Sequence, residues 1–196
     1  LSYMRFDILT IFPHILDSYF NESILGRAQK NKLLTIKTHD LRRYATDKHK
    51  TTDDKPYGGG AGMVMKIEPI VRAFGALGLQ KGKRQKAKGK ISVQNSKAKK
   101  SRVILLAANG KLFTQNDAKR LAKYDRLVFV CGRYEGVDER VKKFVDESIS
   151  VGPYVLTGGE LPAATIVDAV ARMVPSVLGN EASSVDESFA QANQLE

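Results

Sequence analysis

The chain has 196 residues, 42% of them apolar, which is enough to bury one substantial hydrophobic core in one large or two small domains. No apolar run approaches the ~18 residues of a membrane span, and no signal peptide is visible, so the sequence predicts a cytoplasmic protein without a membrane segment. The single cysteine, Cys131, excludes an intramolecular disulfide and fits a reducing compartment, and its apolar surroundings favour a packed thiol.

The net charge of +11 is concentrated in one segment of the chain. Residues 80–102 contain ten Lys or Arg and no acidic residue, and the remaining chain has 22 basic and 21 acidic side chains. The segment has no aromatic residue, which predicts a flexible basic insertion. Such a run can attract a phosphate backbone through counterion release, or it can be a solvated loop without a specific role.

Strands and helices alternate in the first part of the chain. The predicted elements are a strand at 5–12, helical segments at 14–20 and 23–31, a strand at 33–38, a helical turn at 41–44 and a helix at 67–79. The first strand is rich in β-formers and stops at Pro13, and Ser23 is a candidate N-cap.

The second part of the chain continues the alternation. The predicted elements are a strand at 102–107, a helix at 114–123, a strand at 126–131, a short helix at 136–145, a strand at 147–151 and a helix at 161–173. Asn109 and Gly110 predict a turn after the first of these strands, Thr114 is a candidate N-cap, and Pro162 suits the first turn of the last helix. The pattern predicts an α/β protein with a mostly parallel sheet.

Two glycine-rich loops follow predicted strands. Residues 131–140 read CGRYEGVDER, and residues 152–159 form a second loop that ends where a helix can begin. Loops of this kind build ligand sites at the carboxyl edge of open α/β sheets. Because the two loops lie about 20 residues apart, we expect them to line the same pocket.

A third glycine-rich stretch, residues 47–63 (DKHKTTDDKPYGGGAGM), lies between predicted elements. Its glycines permit close approach of a ligand, but it lacks the Lys-Ser/Thr of a P-loop and the spacing of a dinucleotide fingerprint. Loops of this length are usually functional or disordered. We favour a loop that faces a partner or a second subunit, and a mobile loop is the alternative.

Three motifs together resemble the bacterial tRNA (guanine-N1)-methyltransferases of the SPOUT superfamily: residues 47–63, residues 131–140, and residues 150–163 (SVGPYVLTGGELPA) followed by 168–179 (DAVARMVPSVLG). The resemblance covers residues 4–189. It implies a SPOUT domain at residues 4–179 with helices on both faces of the sheet and a C-terminal trefoil knot, a rare exception to unknotted topology. It also implies a homodimer that uses S-adenosyl-L-methionine to methylate N1 of the guanosine 3′ of the anticodon in tRNA.

The resemblance further implies that three loops bind the cofactor. Backbone groups of glycine-rich loops can bond to adenine and ribose, Leu105, Tyr154 and Leu156 can sandwich the ring, and the Glu135 carboxylate can favour the sulfonium. The implied cofactor-binding residues are Leu105, Leu106, Ala108, Asn109, Gly110, Gly132, Tyr134, Glu135, Val151, Gly152, Pro153, Tyr154, Val155, Leu156, Gly158 and Gly159.

Methyl transfer to N1 of guanine needs a proton acceptor, because N1 is protonated at neutral pH. It also needs a hydrogen-bond donor near O6, where negative charge develops. In the family, an Asp from the other subunit accepts the proton and an Arg lies nearby. Arg172 matches this arginine, and Glu187 stands at the acceptor position, with Asp186 as the alternative. The implied tRNA-binding residues are His49, Asp53, Tyr57, Gly58 and Gly59.

Residues 180–196 match the start of an interdomain linker, after which relatives continue into a small helical domain that grips the tRNA. We expect that domain to be absent from this chain, either because the sequence is truncated or because this lineage dispenses with the domain. We therefore expect this polypeptide to bind cofactor and dimerise but to methylate tRNA weakly, an expectation that full turnover would contradict.

Two other classes of function remain compatible with the sequence. One is a SPOUT enzyme that acts on a different RNA, and the other is a non-catalytic RNA-binding module that depends on residues 80–102. A nucleotide-phosphate binder fits less well, since no Lys follows the glycines appropriately. No His, Cys and carboxylate cluster has the spacing of metal ligands, so no metal site is predicted.

Overall fold

The computed structural model describes residues 3–79 and 100–178. In chain order the strands are β1 (Met4–Thr10), β2 (Leu34–Asp40), β3 (Asp53–Asp54), β4 (Val64–Met65), β5 (Ser101–Leu112), β6 (Arg126–Cys131) and β7 (Glu147–Ser150). The α-helices are α1 (Asp17–Asn21), α2 (Ser23–Lys30), α3 (Ile67–Ala76), α4 (Gln115–Leu121) and α5 (Glu160–Ala171), and 3₁₀ turns span Leu41–Tyr44 and Glu139–Lys143.

The main sheet has five parallel strands in the order β2-β1-β6-β5-β7. Strands β3 and β4 form a separate antiparallel ribbon. The prediction of an α/β protein with a mostly parallel sheet is confirmed, and the trefoil knot stays a prediction. No helix within residues 3–79 and 100–178 is long and apolar enough to cross a membrane.

Each strand sends alternate side chains to opposite faces of the sheet. Helical elements pack against both faces, so both are buried. In β6, Phe129 and Cys131 pack with residues of α1, α2, α4 and α5, whereas Val128 and Val130 pack with residues of α3 and the two 3₁₀ turns. Helical elements therefore cover both faces, as predicted. Burial raises the pKa of the Cys131 thiol well above its ordinary value, which agrees with a packed thiol.

The predicted turn at Asn109 and Gly110 is wrong, because β5 continues to Leu112. Leu106 and Lys111 both pair with Ile149 of β7, so the four residues between them form a bulge in the strand. A strand that bulges and resumes pairing resembles a strand that ends in a turn when only the sequence is read. The pairing partner, β7, decides between the two.

The other differences occur at the ends of elements. Ser23 is the first residue of α2, with φ of +49°, and not its N-cap, because a single residue separates α1 from α2. The predicted helix at 136–145 is a shorter 3₁₀ turn, since Gly136 has φ of +129° and cannot begin a helix. Thr114 does cap α4, accepting a hydrogen bond from the backbone N–H of Asp117.

The basic segment begins after the first described range. Residues 80–99 lie outside the described residues, while Ser101 and Arg102, which the insertion was predicted to include, belong to β5. Arg102 Nε donates to Glu147 Oε1 at 2.8 Å, which joins β5 to β7. The last residues of the segment are therefore part of the sheet.

One carboxylate, Asp7, is fully buried in the middle of the sheet. Arg5 donates to it at 2.7 and 2.8 Å, Arg126 at 2.6 Å, and His39 Nε2 lies 2.6 Å from its Oδ1. Burial by itself raises the Asp7 pKa, but the hydrogen bonds from His39 and Arg5 and the charge of Arg126 outweigh it and hold the pKa at about 2. The cluster joins β1, β2 and β6 through side chains.

The Asp7 cluster predicts a loss of stability in acid. Because the folded-state pKa lies below the ordinary value of 3.8, the stabilisation is complete above that value and is lost as the pH falls toward 2. Asp7→Asn should lower the free energy of unfolding by about 3 kcal/mol at neutral pH, since it leaves the partly buried cations Arg5 and Arg126 without their carboxylate. The difference from the wild type, measured by urea unfolding, should shrink between pH 4 and pH 2.

The control is Asp17→Asn, which removes an exposed pair with His14 and should cost less than about 0.5 kcal/mol. Equal costs for the two variants, or a cost at Asp7 that stays constant down to pH 2, would contradict the assignment.

Candidate active site

A cavity of about 460 Å³ opens at the carboxyl ends of β5, β6 and β7. Residues of three loops line it: the bulge in β5, the segment after β6 and the segment between β7 and α5. The prediction that the two glycine-rich loops near residues 132 and 155 line one pocket is therefore confirmed. The volume lies within the range of sites for small molecules and cofactors.

The β5 bulge forms the first wall of the cavity. Ala107, Ala108 and Asn109 line it, whereas Gly110 lies behind them. A Cβ on Gly110 would lie 2.6 Å from backbone atoms of Ile149, a distance that real Cβ atoms do not adopt. The glycine lets β5 and β7 approach closely, and this approach directs the bulge into the cavity.

The loop after β6 forms the second wall and is attached to the glycine-rich stretch 47–63. The backbone N–H of Glu135 donates to the carbonyl oxygen of Met63 at 3.0 Å. A Cβ on Gly62 would lie 2.5 Å from Glu135 Cγ, and Gly62 also has φ of +89°, so this position requires glycine. Tyr134, half exposed, has φ of +60°, a strained value of the kind found at functional sites.

The loop between β7 and α5 forms the third wall. The Tyr154 ring lies over Gly152, where a Cβ would come 2.2 Å from a ring atom, and its hydroxyl donates to the Val151 carbonyl at 3.2 Å. Val155 and Leu156 are exposed beside it. The loop therefore presents a row of apolar side chains that are 40–89% exposed.

Several charged side chains border the cavity, and most of them are paired. Arg133 is paired with Glu160, and Lys142 with Glu139. Glu135 makes no ion pair with any residue in the described ranges. The cavity thus offers one carboxylate that is available to a cationic ligand.

The structure brings together nearly all of the predicted cofactor residues. Each of them lines the cavity except Gly110 and Pro153. Sequence reasoning missed Arg133, which also lines the cavity, and its buried partner Glu160. Both residues lie inside motifs that were already singled out. They are 27 residues apart, and no local sequence pattern indicates that they form a pair.

The predicted tRNA-binding residues lie in one neighbouring segment and do not line this cavity. Tyr57 borders a second cavity of about 670 Å³ that shares Glu135, Val137 and Glu139 with the first. Asp53 belongs to β3. His49, Gly58 and Gly59 are exposed in the loop and line neither cavity.

The predicted catalytic residues are not assembled with the cavity in the described part of the chain. Arg172 is the C-cap of α5, whereas Glu160 begins this helix beside the cavity. At 1.5 Å per residue, Arg172 lies ~18 Å farther along the helix axis. Glu187 and Asp186 lie outside the described residues. In the ranges that are described, no group of three or more His, Cys, Asp or Glu side chains is arranged to hold a metal ion.

A parallel sheet with glycine-rich loops and a cavity at its carboxyl edge defines a ligand-binding α/β protein. The family model described as tRNA (Guanine-1)-methyltransferase TrmD matches residues 4–196. This chain therefore belongs to the tRNA (guanine-1)-methyltransferase family, as the motifs predicted.

Individual relatives agree with this membership. The chain is 52% identical to the tRNA (guanine-N(1)-)-methyltransferase of Desulforamulus reducens over 187 residues, which are 95% of this chain and 68% of the relative. It is 50% identical to the enzyme of the same name from Dictyoglomus turgidum, with coverage of 95% and 68%. The crystal structure of tRNA (m1G37) methyltransferase from Aquifex aeolicus matches 90% of this chain and 72% of its own, with a TM-score of 0.73 and 38% identity.

The close approach at Gly110 can be tested by a matched pair of substitutions. Gly110→Ala should lower the free energy of unfolding by about 1–3 kcal/mol, because the new methyl group overlaps the backbone of β7, which cannot move independently. Gly58→Ala has open space around its Cβ and should change stability by less than about 0.5 kcal/mol. Chemical denaturation of the two variants measures both values, and equal stability would refute the packing role.

Proposed function

We propose that this chain transfers a methyl group from S-adenosyl-L-methionine to N1 of the guanosine 3′ of the anticodon in tRNA. The observation that carries the proposal is the three-loop cavity at the carboxyl edge of the sheet, in a chain that belongs to the tRNA (guanine-1)-methyltransferase family. The names of the relatives support the same substrate and position. With tRNA as the substrate, we expect the activity to be cytoplasmic.

The residues around the cavity suit a methyl donor with an adenine ring and a sulfonium. Apolar side chains of the third loop, Tyr154 and Leu156, together with Leu105, can flank an aromatic ring. Backbone groups of the glycine-rich loops can bond to the ring edge and the ribose. The Glu135 carboxylate, which has no ionic partner among the described residues, can attract the cationic end.

The proposed transfer requires one proton acceptor and one hydrogen-bond donor. The S–CH₃ bond of S-adenosylmethionine breaks as a bond forms from N1 of guanine to the methyl carbon, and S-adenosylhomocysteine leaves. Glu187 or Asp186 accepts the N1 proton, and Arg172 stabilises the negative charge that develops on O6. The bond electrons stay with sulfur, so the sulfonium charge is neutralised and no further reactant is needed.

A homodimer would bring these residues to the cavity. Arg172 stands at the end of α5 that points away from the cavity of its own chain, ~18 Å from Glu160 along the helix axis. Three large apolar side chains near α1 and α5 are exposed: Ile15, Tyr19 and Leu161, at 52%, 48% and 60%. An apolar surface of this kind favours burial against a second copy.

The loop that contains residues 47–63 is proposed to contact the tRNA. The Tyr57 side chain is 95% exposed, and the Arg140 guanidinium lies 5.7 Å from its ring centroid. An exposed aromatic ring beside an arginine suits stacking with an unpaired base. The same contact would include four other residues of this loop: His49, Asp53, Gly58 and Gly59.

A methylation assay on tRNA transcripts tests the proposed function. Transcripts that carry guanosine 3′ of the anticodon should accept a methyl group from labelled S-adenosylmethionine, and transcripts with adenosine there should not. Glu187→Gln should reduce kcat by about 100-fold or more, as expected for the loss of a general base, while calorimetry shows unchanged cofactor affinity. If Glu187→Gln retains full activity and Asp186→Asn loses it, Asp186 is the acceptor.

Two results would contradict the proposal as a whole. Methylation of ribosomal RNA in place of tRNA would indicate a related enzyme with a different substrate. Tight RNA binding without any heat from the cofactor would indicate a non-catalytic RNA-binding module.

Mixed dimers test whether the site is shared between subunits. Glu135→Lys places a cation in the cavity, and Arg172→Ala removes the proposed hydrogen-bond donor to O6. Each variant alone should therefore be nearly inactive. If the two groups act on one guanosine from different subunits, an equal mixture forms hybrid dimers with one intact site, and activity recovers to about a quarter of the wild-type value. Mixtures that stay inactive after subunit exchange would place both groups in one chain.

A further inference from the structure

The Arg133–Glu160 pair joins all the segments that meet at one side of the cavity. Arg133 Nε donates to Glu160 Oε2 at 2.9 Å, and Thr10 Oγ1 donates to Glu160 Oε1 at 2.6 Å. Glu160 is only 1% exposed, and both oxygens of its carboxylate accept a hydrogen bond. The two bonds connect the first residue of α5 with the loop after β6 and with the end of β1.

The guanidinium of Arg133 makes two further contacts. Its Nη1 donates to the Thr157 carbonyl at 3.2 Å, within the third loop. It also lies 4.7 Å from the centroid of the Phe12 ring, beyond the end of β1. One side chain therefore touches the third loop, α5 and the segment after β1 at the same time.

The backbone of the third loop packs closely against the pair. A Cβ on Gly158 would lie 2.3 Å from Arg133 Nε and 2.6 Å from Glu160 Oε2, so the backbone of the third loop rests directly on the pair. The N–H of Gly159 donates to the Gly132 carbonyl at 2.9 Å, which ties the two loops together at the same level. The ion pair and this backbone hydrogen bond therefore both connect the second and third loops beside the cavity.

We propose that Arg133 and Glu160 are positioning residues that hold the second and third loops at the separation required by the methyl donor. The inference rests on the proposed function, because the ligand is taken to be S-adenosylmethionine. The Arg133 guanidinium donates hydrogen bonds to Glu160 and to Thr157. Its effect on binding is exerted through the loops.

A purely structural role predicts a different result from a positioning role, and a pair of variants separates them. Arg133→Met leaves the Glu160 carboxylate buried without its cation and should lower the Tm. The double variant Arg133→Met/Glu160→Gln removes the charge as well and should restore the Tm to within about 2 °C of the wild type. Its Kd for S-adenosylmethionine, measured by calorimetry, should nevertheless stay about tenfold or more above the wild-type value.

Two further variants serve as a second readout and a control. Arg133→Lys keeps a cation beside Glu160 but cannot reproduce the fork to Thr157, so it should fold normally and raise the KM for S-adenosylmethionine while the KM for tRNA is unchanged. Glu147→Gln removes the carboxylate that binds Arg102 and Arg120 away from the cavity, and should lower the Tm without changing the Kd.

The outcomes distinguish this inference from the proposed function. Wild-type protein that binds S-adenosylmethionine, together with a double variant whose Kd recovers along with its Tm, would overturn the positioning role alone. Unchanged KM values in Arg133→Lys would do the same. Wild-type protein that binds no S-adenosylmethionine would overturn the proposed function and this inference together.

Discussion

Close approach of backbone segments at the carboxyl edge of β5, β6 and β7 is the constraint on which the rest of the structure depends. Gly110 lies against the backbone of β7, and Gly159 lies against Cys131 at the end of β6, where an added Cβ would be 2.7 Å from Cα. A side chain at either position would push apart segments that the sheet holds together. Because these contacts exclude side chains, the loops above them converge on one cavity instead of spreading apart.

Charge is distributed so that burial does not leave ions without partners. Asp7 is surrounded by Arg5, Arg126 and His39, and Glu160 is bound by Thr10 and Arg133. Among the described residues, no buried side-chain nitrogen or oxygen lacks a hydrogen-bond partner. The cavity therefore borders an interior whose polar groups are paired, whereas Glu135 at its edge has no ionic partner among the described residues.

Helix α5 carries residues of the proposed site at both of its ends. Its first turn contributes Glu160 to the network beside the cavity, and its C-cap is Arg172. The helix keeps these positions apart within one chain, so the proposed reaction would use Arg172 of a second copy. In the proposed homodimer, association of the two chains would complete the site, and a monomer would bind the methyl donor without positioning the guanosine correctly.

The sequence alone determined the class of fold, the strand β6 to the residue, the motifs that line the cavity and the family, because hydrophobic period, glycine spacing and motif order are local properties. Only the tertiary structure decided that β5 bulges and continues past Gly110, that Ser23 does not cap α2, and that Arg133 pairs with Glu160. Each of these features depends on a partner distant in the chain, such as Ile149 for the bulge, and no local pattern encodes the position of such a partner.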